Sequence, residues 1–445
     1  ILLLQKKTKQ CMNKRIHITT IILIIIPSLV GFSQEKPTSS WTLRECIEYA
    51  RKNNIQVQTT RANSESAKVD LLTSKAQLFP SLIFSSDQGL SHQKTEQADG
   101  SYEGQSAYSG SYSLSAGVSL YNGGRLTRSI RQQEMNTEAM EYQVAMAEND
   151  IEISVTEAYL QILYASESLK TNRLTVETSQ ADLQRSKALL EAGQIAESDY
   201  AQIEAQYYND LYQVTIAENT LASAKLDLKQ LLELDIDDPF EIHFPELDDT
   251  QVLKQAPSLE EVYRTALEVM PEMQNSRLNV SAAELEEKIA ASDRLPSVSL
   301  NASVSTGHNS QDDTSFGKQL NHRLSENIGL SISIPIAQNR QTKSAVEKAR
   351  LATETARLEE ISTRKTLLKT VETLHQNVLS AQSRYQAAAN SVKSASTSYR
   401  LVQEQFNAGM ANTVELLTEK NNYLSALQEQ IQAKFDAILS LKLSN

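Results

Sequence analysis

The sequence predicts a mainly α-helical protein with a transmembrane β-barrel part, assembled from two tandem repeats that each supply two barrel strands and long antiparallel helices. Three observations support this. One offset of 216 residues relates the two halves, short segments alternate between apolar and small polar residues, and long stretches lack glycine and proline.

Composition narrows the function classes. The 445 residues include only 13 Gly and 9 Pro, which favours long regular elements. Acidic residues outnumber basic ones 55 to 43, for a net charge of -12, and no basic run follows the first fifteen residues. Nucleic acid is therefore not an expected partner. Two cysteines, Cys11 and Cys46, and six scattered histidines show no CxxC or HxxxH spacing, so neither a zinc site nor a disulfide framework is expected. No Ser/His/Asp, paired-carboxylate or Gly-rich phosphate-loop arrangement stands out, so no catalytic, cofactor-binding or metal-ligating residue is assigned.

Residues 1–33 read as an upstream extension and a cleaved signal peptide. After Met12 come Lys14 and Arg15, an apolar stretch centred on Ile21 to Ile26, and a small-residue approach through Val30, Gly31, Phe32 and Ser33. That apolar run is short for the ~20 residues of a membrane anchor. Removing the segment deletes five basic residues and no acids, which takes the net charge from -12 to about -17. No later apolar stretch has the length of a spanning helix, which leaves a β-barrel as the only spanning option.

The offset of 216 carries Leu43 onto Leu259, Glu45 onto Glu261, Arg61 onto Arg277, Pro80-Ser81 onto Pro296-Ser297, and Ala192-Gly193 onto Ala408-Gly409. A single offset held from residue 43 to residue 409 marks a duplication. The expected divisions are a first repeat over 34–240, an acidic, Pro-punctuated linker over 241–256, and a second repeat over 257–445.

Each repeat changes hydrophobic period. Tyr112, Leu114, Ala116, Val118 and Leu120 alternate with serines and Gly117, and Ile328 to Ile336 and Val298 to Val304 behave likewise. Strands are expected at about 81–91, 108–121, 297–307 and 324–336, the first with the least regular alternation. A soluble sandwich would show the same alternation, but strands of about ten residues in an exported chain match tilted outer-membrane strands. Polar loops are expected near 96–105 and 308–323.

Helical hairpins are expected over about 124–235 and 340–443. The seam Ile151, Val155, Ala158, Ile162, Ala165, Leu169 recurs as Leu367, Val371, Leu374, Val378, Ala381, Tyr385. A second stripe with Ile153, Leu160, Leu163 and Tyr164 implies neighbours on two sides. The hairpins turn at Gly193 and Gly409, with Ser198 or Thr413 expected to cap the returning helices.

These features, with the strand-to-helix junction Asn122-Gly123-Gly124-Arg125 and the tips Glu191-Ala192-Gly193 and Asn407-Ala408-Gly409, resemble the TolC family of outer-membrane efflux proteins over essentially the whole mature chain. The second junction, Pro335-Ile336-Ala337-Gln338-Asn339-Arg340, lacks both glycines. The resemblance implies a homotrimer that closes a twelve-stranded barrel in outer-membrane lipid above an α-helical periplasmic tunnel. It also implies the passive channel of a tripartite efflux or type I secretion system, working with a periplasmic adaptor and, through it, an inner-membrane transporter. The adaptor would dock at Ala192, Gly193, Gln194, Ala408, Gly409 and Met410. A periplasmic gate would involve Glu415, with Glu419 one place past the family's second acidic position and Asp199 at the matching site of the first repeat. The alternatives are a periplasmic coiled-coil adaptor, whose many short strands are missing, and a surface structural protein, which needs no paired amphipathic strands. The cargo is not legible in the residues.

Overall fold

The computed structural model describes residues 40–96, 100–245, 252–254 and 257–444. The expected signal peptide lies outside them. Helices α1 (Leu43–Asn53) and α2 (Ile55–Ala76) lead into strands β1 (Ser81–Glu96) and β2 (Tyr102–Asn122), then α3 (Arg125–Glu191) and α4 (Glu197–Leu231). The order recurs as α5 (Leu259–Val269), α6 (Pro271–Ser292), β3 (Ser297–Asn309), a short α7 (Phe316–His322), β4 (Ser325–Ser333), α8 (Gln341–Asn407) and α9 (Thr413–Ser444). Both α3 and α8 have 67 residues, about 100 Å at 1.5 Å per residue.

The duplication is legible in backbone detail. Asn54 separates α1 from α2 in extended conformation, and its side chain accepts from the Gln56 and Val57 amides. Met270, 216 residues on, is equally extended and is followed by Pro271, which suits a first helical position.

Helix pairs are keyed by charge as well as by apolar seams. Lys75 bridges Glu134 at 3.1 Å, Lys68 bridges Glu141 at 3.5 Å, and Arg61 bridges Glu148 at 2.6 Å. Each step of seven along α2 is matched by seven in the opposite sense along α3, the heptad register of antiparallel helices. Exposed pairs of this kind contribute about 0–1 kcal/mol each, so they select register more than they stabilise.

The main apolar core gathers Cys46, Val57, Val155, Tyr159, Ile162, Leu228, Leu232, Ala381, Tyr385 and Ile438. The expected seam is buried at Ile151, Val155, Ile162, Ala165 and Leu169, while Leu367 and Leu374 are half-buried and Ile153 of the second stripe is exposed. Trp41 and the segment after α4 close this core. The Trp41 amide donates to the Glu241 carbonyl at 2.7 Å, and the His243 amide donates to the Trp41 carbonyl at 2.9 Å. Buried Ile242 and Val252 thus lie on the core, so the described part of the expected linker is pinned in place. Burial pushes the Cys46 thiol up to about 12, which leaves it protonated and unreactive.

The four strands form one antiparallel sheet in the order β1-β2-β3-β4, with β1 and β4 as edges that are unpaired among the described residues. One face carries the rows Leu82–Ala116–Ala302–Ile328 and Val118–Leu300–Leu330; the other carries Ser85–Ser113–Ser305–Ser325. Ile83 breaks the polar face, and Ser86, Gln88 and His92 interrupt the apolar one, which together account for the irregular alternation of the first strand. The apolar face is bare: Leu82, Phe84, Leu330 and Ile332 are all exposed.

Several strand bounds differ from expectation. β1 and β2 run past the expected loop near 96–105, so that residues 97–101 alone connect them. The loop expected at 308–323 contains α7, fastened by Gln319. Its side-chain amide donates to the Asp312 and Thr314 carbonyls, and its oxygen accepts from the Asn309 amide. β4 stops at Ser333 instead of reaching 336, because its partner β3 begins at Ser297, opposite Ser333. The alternation of β2 also slips: a bulge between Ser119 and Tyr121 leaves Leu120 unpaired and returns Tyr121 opposite Val298.

Candidate functional site

The candidate residues fall in three places: the strand-to-helix junctions, the hairpin tips, and the first turns of the returning helices.

At the first junction Gly123 and Gly124 both have positive φ, 67° and 77°. A Cβ on Gly123 would lie 2.8 Å from both the Leu295 Cβ and the Ser292 carbonyl oxygen, so glycine is required by conformation and by space. The Asn122 side chain accepts from the Leu126 amide at 3.2 Å and starts α3. Arg125 bridges Asp293 at 3.0 Å, and Arg128 donates to the Gly123 carbonyl and the Ser292 hydroxyl. The second junction keeps the same path without glycine: Asn339 and Arg340, at the matching positions, have φ of 46° and 65°. Gln338 stands where Asn122 does and accepts a short hydrogen bond from the Thr342 hydroxyl.

Both tips are Schellman turns. The Gly193 amide donates to the Leu190 carbonyl and Gln194 to Leu189; Gly409 donates to Phe406 and Met410 to Gln405. Ala192, Gly193, Gln194, Ala408, Gly409 and Met410 are all exposed. The two tips touch, since Arg185 donates to the Asn407 carbonyl at 3.3 Å.

The returning helices start differently from expectation. Asn412 caps α9, its side chain accepting from the Glu415 amide at 2.8 Å, while Thr413 is buried as the first helical residue. In the first repeat Ala196 holds the cap position, and the Asp199 carboxylate accepts from the Ala196 amide at 3.4 Å, so Ser198 does not cap. Glu415 and Asp199 thus occupy equivalent third positions. Glu415 shares the exposed face of α9 with Val414 and Thr418, whereas Glu419 is half-buried and accepts from Asn422 at 3.4 Å.

Sequence reading missed a buried polar cluster further up the hairpins. Lys420 of α9 donates to the Ser179 hydroxyl of α3 at 2.7 Å and lies 3.4 Å from the Asp210 carboxylate of α4. Gln206 donates to the other Asp210 oxygen at 2.7 Å, and Asp182 stands 3.9 Å from Lys420. Burial raises the Asp182 pKa, against the opposing pull of Lys420. Tyr399 stacks on Tyr423 at 5.9 Å, and burial, reinforced by Asp182 and Asp210, raises its hydroxyl pKa. The available signal was heptad position: Lys420 follows buried Thr413 and Leu416 by steps of three and four, and Asp210 lies between Ile203 and Ala217 at steps of seven.

The sequence matches the outer membrane efflux protein family over residues 46–233 and again over 262–441. The chain belongs to the outer membrane efflux protein family. Its relatives include the outer membrane protein TolC of Vibrio cholerae, 21% identical over 90% of this chain and 88% of TolC. The alkaline protease secretion protein AprF of Pseudomonas aeruginosa is 22% identical over 87% of this chain and 80% of its own length. The crystal structures of CusC align with a TM-score of 0.77 at 17% identity, over 90% of this chain and 91% of CusC. As an outer membrane efflux protein the chain is a channel component at the outer membrane, and the buried Lys420 cluster and the glycine-free junction are features of its own residues.

Proposed function

We propose that three copies of this chain close a twelve-stranded barrel in the outer membrane, continuous with a helical tunnel in the periplasm, and that the assembly is a passive export duct. The observation that carries this reading is the sheet: it has one bare apolar face, one serine-lined face and two unpaired edges. Lipid covers the first and water the second, but unpaired backbone edges are not tolerated in hydrocarbon. Closure by further copies satisfies them. An export role as a tripartite efflux or type I secretion component follows, with a periplasmic adaptor seated at the Gly193 and Gly409 tips and an inner-membrane transporter acting through it. Three copies of Glu415 would ring the periplasmic entrance, where carboxylates attract cations. The experiment is mass measurement of the purified protein in detergent, together with heat-modifiable migration in the outer-membrane fraction. A trimer is expected. A monodisperse monomer, soluble without detergent, overturns the barrel.

A further inference from the structure

The internal duplication specifies how one copy meets the next. We infer that β4 pairs antiparallel with β1 of a second copy of this chain in the register that β2 keeps with β3, placing Ser333 opposite Ser85 and Ile334 opposite Phe84 of that copy. This rests on the trimeric-duct reading and adds the residue-by-residue register to it.

Within the chain, Gly117 pairs with Asn301, Val118 with Leu300, Ala116 with Ala302 and Leu114 with Val304. Moving the β2 member forward and the β3 member back by the same 216 residues gives Ser333 with Ser85, Ile334 with Phe84, Ile332 with Ser86 and Leu330 with Gln88. The faces agree without adjustment. Ser333 and Ser85 both belong to the serine-lined side, and Ile334 and Phe84 continue the apolar side.

Three independent features fit this pairing. First, β4 ends at Ser333 although its apolar alternation continues through Ile334 and Ile336, which are 62% and 96% exposed. The matching stretch of β2 is a strand to Asn122 because β3 covers it. A neighbouring β1 would cover 334–338 in the same way and extend β4.

Second, Pro335 obstructs nothing. The Ser310 amide donates to the Tyr108 carbonyl at 2.7 Å, so even-numbered β2 residues ahead of the bulge turn their backbone groups toward β3. Even-numbered β4 residues then face the next copy and odd-numbered ones face β3. Pro335 is odd, and β3 pairing has already ended at Ser333, so its missing N–H removes no ladder bond.

Third, the second junction repeats the backbone path of the first at Asn339 and Arg340, and both residues are exposed, whereas Gly123 is buried with Leu295 and Ser292 seated against it. The residues at the matching places in the next copy are Phe79 and Ala76, and Phe79 is 72% exposed. Asn339 brings a Cβ where the internal joint has room only for glycine, so the joint between copies stands wider there.

Disulfide trapping in the full-length protein tests the register. Odd-numbered pairs are the close, non-hydrogen-bonded ones, with Cα atoms about 4.5 Å apart, inside bridging range; residues displaced by two are about 7–8 Å apart. Buried Cys46, with its thiol held protonated, stays out of the reaction. Ser85→Cys combined with Ser333→Cys should give covalent dimers and trimers on mild oxidation, reversed by dithiothreitol. Ser333→Cys paired with Ile83→Cys or with Asp87→Cys should give neither. Cross-linking through a displaced pair, or none from Ser85→Cys/Ser333→Cys while the detergent particle is a trimer, overturns the register alone. A monomeric particle overturns the trimeric reading as well.

Discussion

Lys420 and Asp210 meet at 3.4 Å across two different hairpins, both side chains almost wholly buried. Desolvating two charges is expensive, and the pair is held by further hydrogen bonds from Gln206 and to Ser179. Removing the cation alone leaves a buried carboxylate uncompensated. Lys420→Met should therefore destabilise the packing of α9 on α3 and α4 by about 3–5 kcal/mol, read as a lower melting temperature and faster proteolysis near the tips. The double variant Lys420→Met/Asp210→Leu should recover most of the loss. If the single variant melts like the wild type, the pair does not fasten the hairpins.

Asp182, beside the same cation, has the opposite sign from an ordinary ion-paired carboxylate. Its pKa is raised above 3.8 by burial, so between 3.8 and the raised value the folded state binds more protons than the unfolded state. Stability contributed by this group then falls as pH rises through that window and is fully present at lower pH. Asp182→Asn should remove that component of the pH dependence. Superimposable melting-temperature profiles for variant and wild type from acid to neutral pH would contradict this.

The two junctions take the same left-handed path with different residues, and substitution should affect them unequally. Gly123→Ala meets the Leu295 Cβ and Ser292 oxygen at 2.8 Å and should impair folding, whereas the nearest atom to a Cβ on Gly124 is the flexible Arg128 guanidinium at 3.3 Å. Gly124→Ala should therefore cost only about 1–2 kcal/mol. Arg340→Gly should stabilise by a similar amount by relieving a left-handed non-glycine residue. Equal melting shifts for Gly123→Ala and Gly124→Ala would disprove the spatial argument.

At the tips there is room. Among the described residues nothing lies within 4 Å of a Cβ added to Gly193 or Gly409, although both have positive φ. Bulky substitution at both should leave the oligomer assembled and abolish export in a complementation assay. Normal export would place the adaptor contact elsewhere.

Glu415 is exposed on the first turn of α9, about 100° and 140° round the helix from buried Leu416 and Lys420. Glu415→Gln should reduce cation preference in single-channel conductance and weaken block by divalent cations, with assembly unchanged. Selectivity identical to the wild type would remove Glu415 from the constriction and leave it a helix-start residue favoured by the dipole.

Much of this architecture is carried by local pattern. Period-two alternation at Tyr112 to Leu120, the heptad seam from Ile151 to Leu169, and glycines at 193 and 409 each reflect constraints that act within a few residues, so they are legible in the chain itself. The same is true of the duplication, which needs only a comparison of the sequence with itself. Tertiary structure decided the rest. Whether Asn339 and Arg340 could follow a glycine path depends on how strand and helix are tied together around them. The end of β4 depends on where β3 begins, and the slip at Leu120 depends on pairing across strands. The Lys420 cluster draws on three helices, with 241 residues separating Ser179 from its cation, and a charge becomes buried only when distant segments exclude water around it together.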